Sequence, residues 1–309
     1  MFVSILSRLL QGLLVLFVLY TLTFFLVSAM PGGPFKSAEK AMPEHIRLRA
    51  ESYYGFDKPL WIQYGKQLGN LFRGDTGPSS RLEGRQVSEI IGQAFPVSLR
   101  LGAVAMMLAL LIGVPLGVLA AWRKNTWFDY SAMAVAMTGI CIPGFVIGPL
   151  LADFFGRKLG VLPTMGWDPA DPRSWLLPSL TLGLVTSAYI SRLTRAGMLD
   201  VLNQDFIRTA RAKGVGEMRL LSRHCLRGGL IPAVAYIGPA FAAIISGSVV
   251  VESIFAMPGL GLHFIKSIEV NDRSVILGSV MLYGLLIIIA NFATDLVGVW
   301  MNPRLRSGR

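Results

Sequence analysis

LGAVAMMLALLIGVPLGVLAAW, Leu101–Trp122, is a run of 22 residues without a charge. A helix crosses the hydrocarbon core of a bilayer with about 20 apolar residues. Five more runs resemble it. Leu9–Phe35 has 27 uncharged residues, Tyr130–Ala152 has 23, Ser174–Ser191 has 18, Gly228–Val251 has 24 and Ser274–Thr294 has 21. Core helices of soluble proteins rarely stay uncharged for so long, and the two-residue alternation of a membrane barrel is missing from the pattern. The sequence therefore predicts an all-α integral membrane protein with six transmembrane helices. The first falls within 1–33 and the others at about 100–122, 130–153, 175–195, 229–251 and 275–297.

Composition agrees. Hydrophobic residues make up 53% and charged residues 15%, against about 25% charged in a soluble domain. Arg8 and Ser28-Ala29 would also suit a cleaved signal peptide. The apolar part is long for an h-region of about 7–15 residues, so a retained helix is the expectation. Net charge is +11. In a soluble protein this would point to nucleic acid. Here topology accounts for it, and no nucleic-acid partner is expected.

Six spans put both ends on one side. With the N-terminus inside, the short inner loops hold 14 Lys and Arg residues and the short outer loops 5. Such a bias predicts cytoplasmic N- and C-termini, with 301–309 as a cytoplasmic tail. The long outer segment 34–96, polar and aromatic, is expected to form its own helices, such as one over 59–72. Cys141 and Cys225 lie too far apart in this topology to pair, and His45, His224 and His263 lack metal-ligand spacing, so no metal site is expected.

No G-x-x-x-x-G-K-[ST] loop, G-x-S-x-G or H-E-x-x-H occurs, which leaves no candidate catalytic residue and no site of this chain's own for ATP phosphates. The spans lack the central carboxylates and histidines of a proton relay. Asp129, Asp153, Glu252 and Asp295 sit near the ends of the runs. If the protein moves a solute, its energy is expected from another subunit. Glu252 follows Ser246-Gly247-Ser248 at the outer end of span five. It has three readings: facing a solute cavity, capping a turn, or pairing with Lys266. The small residues Gly139, Gly144, Ser246, Gly247 and Ser248 suit a wide path with few fixed polar groups, and equally suit helix packing.

The inner loop between spans four and five, 205–227, stands out. Phe206, Ile207, Ala210 and Gly214 recur at helical spacing, with Asp205 at the N-cap position. Gly214 and Gly216 can end that helix and turn the chain. A second short helix is expected from Glu217, with Met218, Leu221 and Cys225 on one side. Two short helices at an angle make a knob suited to a groove on a soluble partner. Arg211 and Lys213 are candidate docking cations, although positive-inside bias also explains them.

Arg208-Thr209-Ala210-Arg211-Ala212-Lys213-Gly214 resembles the E-A-A-x-x-x-G coupling loop of bacterial ABC importer permeases, with Arg208 in the place of Glu and Thr209 in that of the first Ala. Further stretches resemble the first permease subunit of oligopeptide and dipeptide importers: Pro31-Gly32-Gly33-Pro34, Tyr54-Gly55-Phe56-Asp57-Lys58-Pro59, Gly74-Asp75-Thr76-Gly77-Pro78-Ser79, Phe95-Pro96-Val97-Ser98 and Met257-Pro258-Gly259-Leu260-Gly261. Ala136-Met137-Thr138-Gly139, Ile142-Pro143 and Gly148-Pro149-Leu150 are more similar to oligopeptide members.

The resemblance implies the ABC type I importer transmembrane fold over 97–300, with the extra extracytoplasmic segment between helices one and two. It implies an inner-membrane location, a homologous second permease, two ATPase subunits and a periplasmic or lipid-anchored peptide-binding protein. Peptide is the implied substrate and lipid the surroundings. This chain would bind no cofactor; ATP and magnesium would sit in the ATPase subunits. Dipeptides, nickel, haem or antimicrobial peptides as cargo, an ion-coupled carrier, and a non-transporting scaffold are the competing readings.

Overall fold

The computed structural model describes residues 2–30, 48, 51–81 and 84–301. The Pro31-Gly32-Gly33-Pro34 motif, His45 and the tail from residue 302 onward lie outside them. The elements are α1 (Phe2–Ala29), α2 (Leu60–Phe72), α3 (Val87–Trp122), α4 (Trp127–Cys141), α5 (Gly144–Leu151) continued by a π-helical stretch Ala152–Lys158, and α6 (Arg173–Leu202). They continue with α7 (Asp205–Ala212), α8 (Glu217–Arg219), a second π-helical stretch Leu220–Cys225, α9 (Leu226–Gly229), α10 (Ile231–Gly247), α11 (Val249–Ile254), α12 (Leu260–Glu269) and α13 (Arg273–Met301).

Among the described residues, five helices are long and apolar enough to cross a membrane. A sixth candidate is the pair α4 and α5, bent by 105°. The sequence reading placed one helix at about 130–153, and proline explains the break. Ile142, preceding Pro143, is extended (φ −84°, ψ 121°). A residue before proline is pushed out of the helical region, and Pro143 has no N–H to continue the ladder. α3 spans 36 residues, about 54 Å at 1.5 Å per residue. That exceeds the ~30 Å hydrocarbon core, so 87–96, read as part of the outer segment, is a helical extension of span two.

The chain divides into two compact units. The first comprises Arg100–Met257 and Ile287–Arg309. α6 is its axis, packing on α4, α5, α9 and α10. It is the least apolar of the candidate spans and the most buried. Its small polar side chains pack inward, with Thr181 and Thr186 bonded to Leu177 and Leu182 carbonyls one turn back, so their hydroxyls are paired within the helix. Small residues let backbones touch. A Cβ on Gly113 would lie 2.6 Å from the Ser187 carbonyl oxygen, and one on Gly117 2.4 Å from that of Ser191. Gly183 returns the contact, 2.8 Å from Ala105 O. Gly113 and Gly117 form a G-x-x-x-G seam of the kind membrane helices use for close approach.

One buried charge pair closes the α3–α4 turn on α6. Arg195 donates through Nε and Nη2 to the Asp129 carboxylate at 2.6 and 2.7 Å. The Asn125 N–H reaches the same carboxylate at 3.0 Å, and Asp129 is 1% exposed. Hydrogen bonds to charged groups contribute about 1.5–3 kcal/mol. Asp129→Asn is accordingly expected to destabilise the detergent-solubilised protein by about 2 kcal/mol, seen as a lower unfolding temperature.

The second unit comprises Phe2–Leu99 and Pro258–Leu286. α2 starts after its N-cap Pro59, whose carbonyl accepts the Ile62 and Gln63 N–H groups, and is docked on α1. The Tyr64 ring packs with Tyr20, Phe24 and Phe25, and its hydroxyl lies 2.9 Å from Thr21 Oγ1. Asp272 accepts bonds from the hydroxyls of Ser79 and Ser80 and caps α13 through the Val275 N–H. This ties the Gly74–Ser79 motif to the start of the last span. Within the motif Gly77 has φ +74°, and a Cβ there would meet the Tyr53 and Tyr54 side chains at 2.4 Å.

Candidate functional site

The knob between α6 and α10 is built around a helix ending. In α7, the Gln204 carbonyl accepts the first N–H bonds from Ile207 and Arg208. The N-cap is thus Gln204, and Asp205 lies one position inside, in the first turn, facing Arg208 at 3.4 Å. At the other end Gly214 N–H bonds Arg211 O (2.9 Å) and Val215 N–H bonds Ala210 O (3.2 Å). These paired bonds, with Gly214 at φ +77°, are a Schellman closure with glycine at C′. Gly216 differs. It is extended (φ −62°, ψ 145°), a conformation open to any residue.

The knob has a dry inner face. Ile207 is fully buried with Leu220, Leu221 and Cys225 against Ala121, Met198 and Val201, and Ala210 and Val215 pack on the rim. Knob, α3 end and α6 thereby share one core. Its base is backbone-tight, since a Cβ on Gly197 would lie 2.3 Å from Gly229 O. Burial pushes the Cys225 thiol up, away from thiolate chemistry.

The outer face carries the other half of the expected residues. Phe206 is 49% exposed and Met218 68%; Lys213 and Gly214 are exposed. The structure thus splits the face expected of Phe206, Ile207, Ala210 and Gly214, and it separates Met218 from Leu221 and Cys225. The wider π-helical turn at Leu220–Cys225 breaks the α-helical spacing that would align all three. Arg211, expected as a docking cation, grips Glu217 through Nε–Oε1 (2.8 Å) and Nη2–Oε2 (3.2 Å). The guanidinium holds the Glu217 carboxyl below the ordinary carboxylate range. Half-exposed, this clip between α7 and α8 contributes less than about 1 kcal/mol.

Gly139 and Gly144 flank the α4–α5 bend. A Cβ on Gly139 would meet Ala188 Cβ at 3.7 Å, and one on Gly144 nothing within 4 Å. Gly247 ends α10. Ser246 bonds the Ala242 carbonyl one turn back. Ser248 and Glu252 are both fully buried, the hydroxyl donating to Glu252 Oε1 at 2.6 Å. Sequence reasoning passed over Asp129–Arg195 and the glycine seam. Only the seam carried a signal, the four-residue spacing of Gly113 and Gly117.

The helical arrangement is similar to that of two solved ABC transporters. The methionine ABC transporter MetNI, in inward-facing conformations, matches with TM-score 0.60 at 17% identity over 69% of this chain and 96% of that one. An amino acid ABC transporter crystallised with histidines matches with TM-score 0.52 at 16% identity, covering 68% and 92%. These establish the ABC type I importer transmembrane fold. The family model of the binding-protein-dependent transport system inner membrane component matches residues 113–307, and that of its N-terminal region residues 1–102. The chain belongs to this family, and is a multi-pass membrane permease component. Similar relatives are the oligopeptide transport system permease protein OppB of Haemophilus influenzae (41% identity, 98% of both chains) and of Escherichia coli K12 (40%, 98% of both). The dipeptide transport system permease protein DppB of Bacillus subtilis is 39% identical over 94% of this chain and 93% of its own.

Proposed function

We propose that this chain is the permease subunit of an ATP-driven importer that carries oligopeptides across the inner membrane by alternating access. In this reading it pairs with a homologous permease, two ATPase subunits supply ATP and magnesium chemistry, and a peptide-binding protein delivers cargo outside. Both termini lie in the cytoplasm, in keeping with the charge bias of the loops. The observation that carries the reading is the knob, whose inner face is welded to α3 and α6 and whose outer face presents Phe206 and Met218 among the cations Arg208, Lys213 and Arg219.

The geometry supports a lever. A partner groove that holds Phe206 and Met218 more tightly in one state than another shifts the spans toward that state; equal affinity in both would shift nothing. Asp205 and Arg211 serve as supports, pairing with Arg208 and Glu217 and keeping the docking surface in shape. The translocation path follows Gly139, Gly144, Ser246 and Gly247, with Ser248 and Glu252 as a buried brace where α10 passes into α11. Oligopeptide cargo is favoured by the near-full-length similarity to the two OppB proteins. Uptake competition with peptides of graded length separates it from dipeptide cargo.

Exposed apolar anchors at interfaces contribute about 2 kcal/mol or more each. The Phe206→Asp/Met218→Asp double variant is therefore expected to bind the partner ATPase on the order of several hundred-fold more weakly, at an unchanged level in the membrane. Undiminished co-purification of the ATPase would overturn the docking assignment.

A further inference from the structure

The α3–α4 turn, WRKNTWF over 122–128, has no part in the knob. The adjacent carboxylate, Asp129, is turned inward and occupied by Arg195 and the Asn125 N–H. Arg123 and Lys124 are exposed, and among the described residues neither is in an ion pair. Arg123 lies over the Trp122 and Phe128 rings, 5.9 and 5.8 Å from their centroids. Trp127 is 82% exposed. Such a ring at the very end of a span belongs at the membrane–water interface, where tryptophan is enriched.

We propose that this turn is a headgroup site for an anionic phospholipid. Lys124 and the outer edge of Arg123 contact the lipid phosphate, and Trp127 sets the depth of the turn in the interface. The Arg123 guanidinium is preorganised for this role, because two aromatic faces hold it at the span's edge and, among the described residues, it is in no ion pair. Two features point to lipid over a soluble anion or a protein groove: among the described residues the two cations are in no ion pair, and the rings lie level with a span end. The inference goes beyond the transport reading and does not depend on which way the chain is threaded.

The test uses the full chain with its partner subunits in mild detergent. Native mass spectrometry follows lipid retention from mixtures of phosphatidylglycerol and phosphatidylcholine. A basic residue near an anionic surface contributes about a fivefold preference, so two give on the order of 20-fold for one lipid per chain. Arg123→Gln/Lys124→Gln is expected to remove that step. Lys124→Gln alone, at an exposed side chain, is expected to remove about fivefold and serves as the check that lost retention is not lost folding. A wild-type protein without preference for phosphatidylglycerol, or a double variant that keeps it, overturns the proposal. So does a double variant that impairs ATPase coupling in discs of phosphatidylcholine alone, because the turn would then be contacting protein.

Discussion

Gly214→Val is expected to insert normally, keep the assembly, and cut peptide uptake at least tenfold while ATP hydrolysis continues. Open space surrounds the glycine, with no atom within 4 Å of an added Cβ, so the effect comes from the backbone alone. At φ +77° an L-residue pays about 1–2 kcal/mol, and a β-branched one is an outlier. That strain acts on the Schellman closure, so α7 no longer holds a fixed angle to α8 and force applied to the knob is lost before it reaches α3 and α6. Two controls separate conformation from contact. Gly214→Asn, which tolerates the left-handed region, is expected to retain most uptake. Gly216→Ala, at an ordinary extended position, is expected to change nothing. Normal uptake with normally stimulated ATPase in Gly214→Val would remove Gly214 from the coupling role.

The second large effect falls on folding. Gly117→Val places a Cβ 2.4 Å from Ser191 O and 2.7 Å from Thr194 Cβ, both on the axial helix α6. A flexible side chain could move aside; a helix backbone cannot without displacing everything packed on it. Overpacking costs about 1–3 kcal/mol even where side chains yield, so about 3 kcal/mol or more is expected here, enough to lower the amount of chain in the membrane several-fold. Gly298→Ala, where an added Cβ meets nothing within 4 Å, is the matched control and is expected to behave as wild type. Equal membrane levels for Gly117→Val and Gly298→Ala would show that α3 and α6 are not in backbone contact.

Much of the frame was legible because its cause is local. Uncharged runs give spans whatever surrounds them, since each backbone group must be paired inside the bilayer and only the helix does that within one segment. The α4–α5 bend was also written locally, in Ile142-Pro143, although length alone suggested one helix. Gly214 announced a helix end by the same logic.

The site resisted where neighbours decide. Phe206 and Ile207 are adjacent and both apolar, and no pattern says which is buried; the core built from Ala121, Met198 and Leu220 does. Met218 left its expected face because a π-helical turn follows it. Arg211 had the composition of a docking cation, and the fold turned it onto Glu217.

The amino-acid order by itself determined the spans, the break at Pro143 and the glycine that ends α7, because a desolvated backbone and a restricted dihedral act within a few residues. Only the tertiary structure joined Asp129 to Arg195, 66 positions apart, laid Gly117 on Ser191, and divided the knob into a buried and a presented face. Those outcomes depend on which surfaces meet across the bundle, and a charge or a missing Cβ acts on a distant residue only after packing has brought the two within a few ångströms.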